Sequence, residues 1–217
     1  GILLALAARQ NTGLGQRVEA TLFDTGLSLL IPHASNWLYS GRTPQLLGSA
    51  HPNIVPYDRF SASDGDVFIG VVNDSQFRRF CQCIARTDLP SDARFSDNCL
   101  RLENRQALRL EIDQSLAGFE VAVLCETLMR NGVPAGAVNT VPQALSQPHV
   151  AARRMLVEQD GYRSLGVPVK LSATPGKPGH RPARLSEHAI AILGELGYDD
   201  AAIKALCIDG ALSAPKS

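Results

Sequence analysis

The chain has 217 residues, 45% of them apolar and 19% charged, with 21 Lys plus Arg set against 21 Asp plus Glu. Such a length and composition fit a soluble globular chain of one or two domains. Zero net charge removes the electrostatic reason to expect nucleic acid or an anionic membrane as partner, and no stretch approaches the roughly 20 apolar residues that cross a bilayer.

The first eight residues carry an apolar face, Ile2, Leu3, Leu6 and Ala7, on a helix expected to stop at Asn11-Thr12-Gly13. They lack a basic leader and an initiating methionine, so they read as a helix cut in the middle rather than a signal peptide. Residues 17–23 alternate in part and predict a strand, followed by Asp24 as cap of a helix that kinks at Pro32 and ends at Gly41. Trp37 and Leu38 are expected on its inner face.

The stretch 48–80 is the centre around which the chain is organised. It reads as a glycine-started polar loop, a strand at 55–60, the Asp64-Gly65 turn, a strand at 67–72 and a helix at 76–85. Asn73, Asp74 and Ser75 are three candidate caps, and Phe77, Phe80, Cys81 and Ile84 form the inner stripe. Asn104 is expected to cap a helix with Leu108, Ile112 and Leu116 inside, and residues 121–130 a second, stopped at Asn131-Gly132. Short strands are expected at 133–138, 155–159 and 167–171, with a helical turn at 142–145. A Pro/Gly crossing at 175–182 leads to two closing helices capped by Ser186 and Asp199.

Five cysteines, Cys81, Cys83, Cys99, Cys125 and Cys207, make no CxxC pair and no zinc spacing. Three fall on apolar helical positions and read as buried thiols, which suits a reducing cytoplasm. His33, His149, His180 and His188 show no ligand spacing, so no metal is expected. Thr12-Gly13-Leu14-Gly15 precedes its strand and is no dinucleotide fingerprint.

The segments GILLALAARQNTGLGQRVEATLFD, GSAHPNIVPYDRF, DGDVFIGVVNDSQF, GVPAGAVNTVPQAL, QPHVAARRML and LSEHAIAILGELGYDDAAIKAL, in this order, resemble the second half of a family III CoA-transferase. That family includes formyl-CoA transferase, carnitine-type CoA-transferases and 2-methylacyl-CoA racemases. The resemblance implies an α/β fold in three pieces. Residues 1–47 end the first part of a doubly wound large domain, 48–172 form an inserted small α+β domain, and 173–217 are a crossing and helices returning to the large domain.

It further implies a CoA thioester as substrate rather than a bound cofactor, a carboxylic acid as co-substrate, and an interlocked homodimer. The family's nucleophile is an aspartate, expected upstream of this chain, about ten residues before Gly1, where it acts as covalent catalyst. No catalytic residue is expected within the chain, and Asp24, at a helix cap, is no substitute. The chain alone is expected to be inactive.

By register, His51-Pro52-Asn53-Ile54 stands where formyl-CoA transferase carries a glycine-rich lid loop. The substrate-binding or lid residues expected are Gly48, His51, Asn53 and Tyr57. His51 either binds a substrate carboxylate and assists proton transfer or bonds the loop backbone. Asn53 either donates its amide to an acyl oxygen or stabilises an Asx turn. Tyr57 lines an acyl pocket or is half-buried core. Arg101, Asn104 and Arg105 either reach an anion such as a CoA phosphate or form a solvated helix entrance. A racemase or epimerase of the same fold, and a non-catalytic truncated chain, are the competing readings.

Overall fold

A computed structural model describes residues 1–159, 161–177 and 179–212. It separates into two compact units, one from Gly1 to Val138 and one from Asn139 onward.

The first unit begins with three helices, α1 (Ile2–Thr12), α2 (Leu22–Ser28) and α3 (His33–Ser40), none of which buries a residue. Gly13 ends α1 at φ 73°, its N–H donating to the Arg9 carbonyl. The strand expected at 17–23 does not form. A strand needs a ladder partner, and among the described residues of this unit only β1, β2 and β3 pair, all beyond residue 56. Thr21 Oγ1 instead accepts the Asp24 N–H at 3.0 Å, so α2 starts inside that stretch and Thr21, not Asp24, is its cap. Pro32 breaks rather than kinks the next helix, which starts afresh as α3. Trp37 is 49% and Leu38 76% exposed, against expectation.

The core lies further on. β1 (Tyr57–Ser61) pairs antiparallel with β2 (Asp66–Gly70), with Phe60 opposite Val67. Asp64-Gly65 turns between them, and the Asp64 carboxylate accepts the Val121 N–H at 2.8 Å, fastening the turn to a later helix start. α4 (Asp74–Cys83) follows, capped by Asn73, whose Oδ1 accepts the Gln76 N–H at 2.9 Å. Gln76 answers by accepting the Val72 N–H and donating to the Gly132 carbonyl.

After a 3₁₀ turn (Leu89–Ser91) come α5 (Asn98–Glu103) and α6 (Arg105–Leu116). Asp97 caps α5, while Asn104, expected as a cap, donates its amide to the Leu100 carbonyl at the junction. α7 (Val121–Arg130) runs as the periodicity predicts, and Asn131-Gly132 (φ 70°) delivers β3 (Ala135–Ala137) to the free edge of β2. The sheet order is β1-β2-β3.

Phe60, Val67 and Ile69 from the sheet, Phe77 and Phe80 from α4, Leu108 and Ile112 from α6, and Leu124 and Leu128 from α7 are fully or nearly fully buried together. Each such side chain contributes about 1.5–3 kcal/mol of transfer free energy. This cluster draws on residues from Val55 to Val133, whereas α1–α3 carry exposed apolar faces such as Ile2, Leu3 and Leu4.

The second unit holds α8 (Val141–Leu145), α9 (Pro148–Ala152), the hairpin of β4 (Leu156–Gln159) with β5 (Tyr162–Leu165), α10 (Ala189–Glu195) and α11 (Asp200–Ile208). The strand expected at 167–171 forms earlier, at β5, because the chain turns back at Gly161 (φ 72°) and pairs Gln159 with Tyr162. Asp199 caps α11 through the Ala202 N–H as expected. Ser186 does not cap α10: it sits at φ 60°, and the helix starts at Ala189. Among the described residues no helix is long and apolar enough to cross a membrane, and no His/Cys/Asp/Glu group could hold a metal ion. Three of the five thiols were expected to be buried; Cys81 is fully so, Cys83, Cys125 and Cys207 are half-buried, and Cys99 is exposed.

Candidate functional site

Gly48 opens the loop at φ 64°, a left-handed conformation in which a Cβ is strained. The segment then turns back on β1: the His51 N–H donates to the Tyr57 carbonyl at 2.9 Å, and Ser49 Oγ donates to the Asp58 carboxylate. Within that turn His51 Nδ1 accepts the Asn53 N–H at 3.1 Å. An Nδ1 that accepts must be unprotonated, so the imidazole is neutral with its hydrogen on Nε2. Burial, the Arg105 guanidinium and His33 each hold the His51 pKa below its ordinary value, which stabilises that neutral form. Nε2–H is then a donor with no partner among the described residues. The histidine therefore bonds the loop backbone through one nitrogen and offers the other.

Asn53 pairs with Asn36 of α3 through two reciprocal amide bonds, Nδ2 to Oδ1 at 2.9 and 3.0 Å. Each Nδ2 keeps one hydrogen. Tyr57 stands at the start of β1, its ring 5.2 Å from His51 and edge-on to Phe68 at 5.4 Å. Gly70 opposite makes room for it, since a Cβ there would lie 3.0 Å from the tyrosine ring. Gly48, His51, Asn53 and Tyr57 are thus brought to one loop on the β1 edge of the sheet.

Three side chains from α5 and α6 hold this loop by its backbone. Asn98 accepts the Val55 N–H at 3.1 Å and donates to the Asn53 carbonyl at 2.8 Å. Arg105 donates to the His51 and Pro52 carbonyls at 2.8 and 3.3 Å. Arg101, only 1% exposed, donates to the Val55 and Phe95 carbonyls, pairs with Asp74 at 2.7 Å and lies 4.4 Å over the Phe77 ring. Arg101 and Arg105 are therefore not a solvated helix entrance. Burial, with one protein acceptor on each of its three nitrogens, also removes Arg101 as a ligand for a free anion. Sequence reasoning missed Asn98 altogether; its only signal was a polar residue just after the Asp97 cap. Asn73 and Asp74 keep structural work, one capping α4 and the other neutralising Arg101.

The loop borders two cavities of the first unit. One, of about 480 Å³, is lined by Leu46, Leu47, Tyr57 and Phe60, with Arg105 and Arg109 at its polar wall. Arg109 is fixed there by Asp58 at 2.8 Å and Asp113 at 2.7 Å. The other, of about 420 Å³, has a mixed lining that includes His33, Asn36, Arg42 and Asn53 beside Pro44, Leu47 and Pro52. A donor-bearing loop that borders these recesses can present hydrogen bonds to a carbonyl or carboxylate while keeping its own backbone bonds internal.

A model of the CoA-transferase family III matches residues 1–189. The succinyl-CoA:mesaconate CoA-transferase of Haloarcula marismortui is 33% identical over 205 residues, which cover 92% of this chain and 51% of that protein. The acetyl-CoA:oxalate CoA-transferase of Acetobacter aceti is 33% identical over 203 residues, 93% of this chain and 52% of that one. The crystal structure of a CAIB/BAIF family protein from Brucella suis superposes with a TM-score of 0.73 at 37% identity, over 90% of this chain and 52% of its own. The chain spans about half the length of these relatives. Its fold is the C-terminal portion of the family's α/β fold, and the chain belongs to CoA-transferase family III.

Proposed function

We propose that the complete protein moves CoA from an acyl-CoA thioester to a carboxylic acid, and that this chain forms its C-terminal portion. The observation that carries the reading is the family match over residues 1–189, to relatives of which the chain spans about half. On this reading an aspartate upstream of Gly1 is the nucleophile, and the chain alone does not turn over. Residues 1–47 and 173–217 belong to the large domain, residues 48–172 to the small one, in an interlocked cytoplasmic homodimer. The exposed faces of α1–α3 support that division, because helices of this kind need a partner layer to cover them.

The aspartate carboxylate attacks the thioester carbonyl, expelling CoA thiolate and leaving a mixed anhydride. The thiolate attacks the aspartyl carbonyl, releasing the first acid and leaving an aspartyl-CoA thioester. The incoming carboxylate attacks that thioester, again releasing thiolate, which takes the new acyl group from the second anhydride and frees the aspartate. Every step develops charge on a carbonyl oxygen. The unpartnered Nε2–H of His51 and the remaining amide hydrogen of Asn53 are the donors this chain offers to it, Gly48 gives the loop its turn, and Tyr57 walls the acyl pocket. Held by Asn98 and Arg105, the loop also shields the hydrolysable anhydrides from water.

The test is CoA transfer by the protein expressed from its complete reading frame, against a panel of acids, with hydroxylamine trapping of the acyl-enzyme. Transfer with a trapped aspartyl hydroxamate supports the proposal. Isotope exchange at the α-carbon of the acyl-CoA with no transfer replaces it with a racemase.

A further inference from the structure

The candidate loop is gripped from α6 at two points one helical turn apart. Arg105, Arg109 and Asp113 follow one another at four-residue spacing and share one face of that helix. Arg105 takes the His51 and Pro52 carbonyls directly, at 2.8 and 3.3 Å. Arg109 acts at one remove. Its Nη1 donates to Asp58 Oδ2 at 2.8 Å, and Asp58 Oδ1 accepts the Ser49 hydroxyl and the Arg59 N–H. Ser49, one residue after Gly48 and two before His51, is thereby joined through β1 to α6.

The Arg109 end of this chain of bonds is seated on the core, and the Ser49 end is exposed. Arg109 Nε donates to Asp113 Oδ2 at 2.7 Å, and its guanidinium lies 4.5 Å over the ring of buried Phe60. Asp113 Oδ1 is buried with no partner among the described residues. A buried acceptor left unpaired disfavours folding. What the Asp113 carboxylate does accomplish is to fix Nε, so that Nη1 meets Asp58. The Asp58 charge also offsets part of the burial cost of the Arg105 cation, so both grips on the loop draw on one carboxylate.

None of these bonds uses the side chain of His51 or Asn53. The backbone around His51 is held while its Nε2–H stays available to a ligand. We propose that Ser49, Asp58 and Arg109 are positioning residues, which hold the first limb of the loop so that the His51 Nε2–H meets the carbonyl oxygen of the reacting acyl group and water stays out. The inference rests on the transferase reading for the reaction, and adds the residues that set the donor's place. Charge on that oxygen appears only in the transition state, so a displaced donor lowers kcat and leaves KM nearly unchanged. Water that reaches an anhydride cleaves it to the enzyme aspartate and the free acid, and net hydrolysis of acyl-CoA to acid and CoA thiol then replaces transfer.

The test measures CoA transfer and acyl-CoA hydrolysis side by side, on the protein expressed from its complete reading frame, with succinyl-CoA and acetyl-CoA as donors and the acid panel above. The variants are Ser49→Ala, Ser49→Thr, Arg109→Lys, and Ser49→Ala combined with Arg109→Lys. Ser49 is exposed, so Ser49→Ala removes a hydroxyl without removing core packing. It is expected to lower the transfer kcat about tenfold, inside the roughly hundredfold that a misplacement of about 1 Å can cost. KM is expected to stay close to the wild-type value, and the share of turnover ending in hydrolysis to rise. Ser49→Thr keeps the hydroxyl and is expected to restore both. Arg109→Lys keeps the charge but cannot serve two carboxylates in fork geometry, and is expected to fall likewise. The double variant is expected to lose less than the product of the single losses, because both changes break the same chain of bonds.

Wild-type kcat and hydrolysis in Ser49→Ala overturn the proposal. So does a loss confined to KM, a Ser49→Thr variant no better than Ser49→Ala, or a double variant whose losses simply multiply. Hydrogen exchange of the His51 amide, bonded to the Tyr57 carbonyl, is followed in the same variants. Should the wild type transfer CoA to no acid, the transferase reading falls and exchange alone decides. Faster exchange in Ser49→Ala, with the wild-type rate in Ser49→Thr, then upholds the tether on His51, and equal rates in all three overturn it.

Discussion

Arg101 reaches Asp74 from inside the core: the guanidinium side chain is 1% exposed, the carboxylate 47%, and the two meet at 2.7 Å. The pair sits where water ends, so the carboxylate is hydrated on one side and the guanidinium is not. Two further guanidinium hydrogens go to the Val55 and Phe95 carbonyls, and the plane lies over Phe77. One side chain thereby ties the loop end, the 3₁₀ region and α4 together. Replacing it leaves two buried carbonyls and an aromatic face without a partner.

Arg101→Ala is therefore expected to destabilise the protein by about 2–5 kcal/mol, at about 1–3 kcal/mol for each buried carbonyl left unsatisfied. Arg101→Lys is expected to recover only part, since one ammonium cannot serve three acceptors in fork geometry. Asp74→Asn, changing the hydrated partner, is expected to cost about 1 kcal/mol. Urea unfolding of the three variants ranks them. Equal losses for Arg101→Ala and Asp74→Asn would mean the ion pair, not the backbone bonds, carries the effect.

Asn98 has a different task. Its amide bonds the loop at two points, Val55 N–H and Asn53 C=O, without touching either side chain. Asn98→Asp keeps the acceptor and removes the donor, and Asn98→Ala removes both. At about 0.5–1.5 kcal/mol per hydrogen bond, the expected losses are near 1 and 2 kcal/mol, concentrated in the loop. Hydrogen exchange of the Val55 amide is expected to accelerate in Asn98→Ala and much less in Asn98→Asp. Exchange that rises equally across α5 would assign Asn98 to the helix start rather than to the loop.

The scaffold was legible in the sequence where local and tertiary preferences agree. The Asp64-Gly65 turn, the stripe of Phe77, Phe80 and Cys81, and the 121–130 helix with its Asn131-Gly132 stop all appear as expected. Residues 17–23 failed because their alternation has meaning only beside another strand, and none is paired with them among the described residues. The candidate loop was visible as a dense run of polar groups, and its family register placed His51 and Asn53. The clamp on it was not visible. Asn98 and Arg105 lie 45 and 54 residues from the loop atoms they bond, and bonds from side chain to distant backbone leave no periodic trace. Arg101 was misread for a similar reason: an arginine in a polar run looks solvated unless one knows which carbonyls are buried beside it.

His51 makes the loop sensitive to acid. Its pKa is held below the ordinary value by burial first, then by Arg105 and His33. A histidine depressed in the folded state binds fewer protons there than when unfolded, so its contribution to stability is fully present above the unfolded pKa, about 6.5. That contribution is lost as pH falls from there through the lower folded value. Protonation places a hydrogen on Nδ1, which can then no longer accept the Asn53 N–H. An NMR titration of the His51 ring is expected to show a midpoint below about 6.5, with the Asn53 amide shifting in step. His51→Gln is expected to flatten this part of the stability profile. A midpoint at or above the ordinary value would contradict the neutral Nε2–H tautomer.

The thiols give an independent check on the core. Burial pushes the Cys81 thiol up to about 12, so almost none is thiolate near neutral pH, and its relative exposure is 0%. Thiolate is the reactive form. Cys99 is exposed at the start of α5, just past the Asp97 cap. Cys83 and Cys125 are half-buried, with desolvation raising both. Among these four, alkylation at mildly alkaline pH followed by peptide mass analysis is expected to modify Cys99 first, Cys83 and Cys125 slowly, and Cys81 only in step with global unfolding. Arg101→Ala, by loosening the helix-to-loop tie beneath Phe77, is expected to bring Cys81 labelling forward through opening alone, because loss of the guanidinium charge by itself pushes that thiol further up. Early modification of Cys81 in the wild type would mean that α4 opens locally, and that the cluster of Phe77, Phe80 and Leu128 is not the most stable part of the chain.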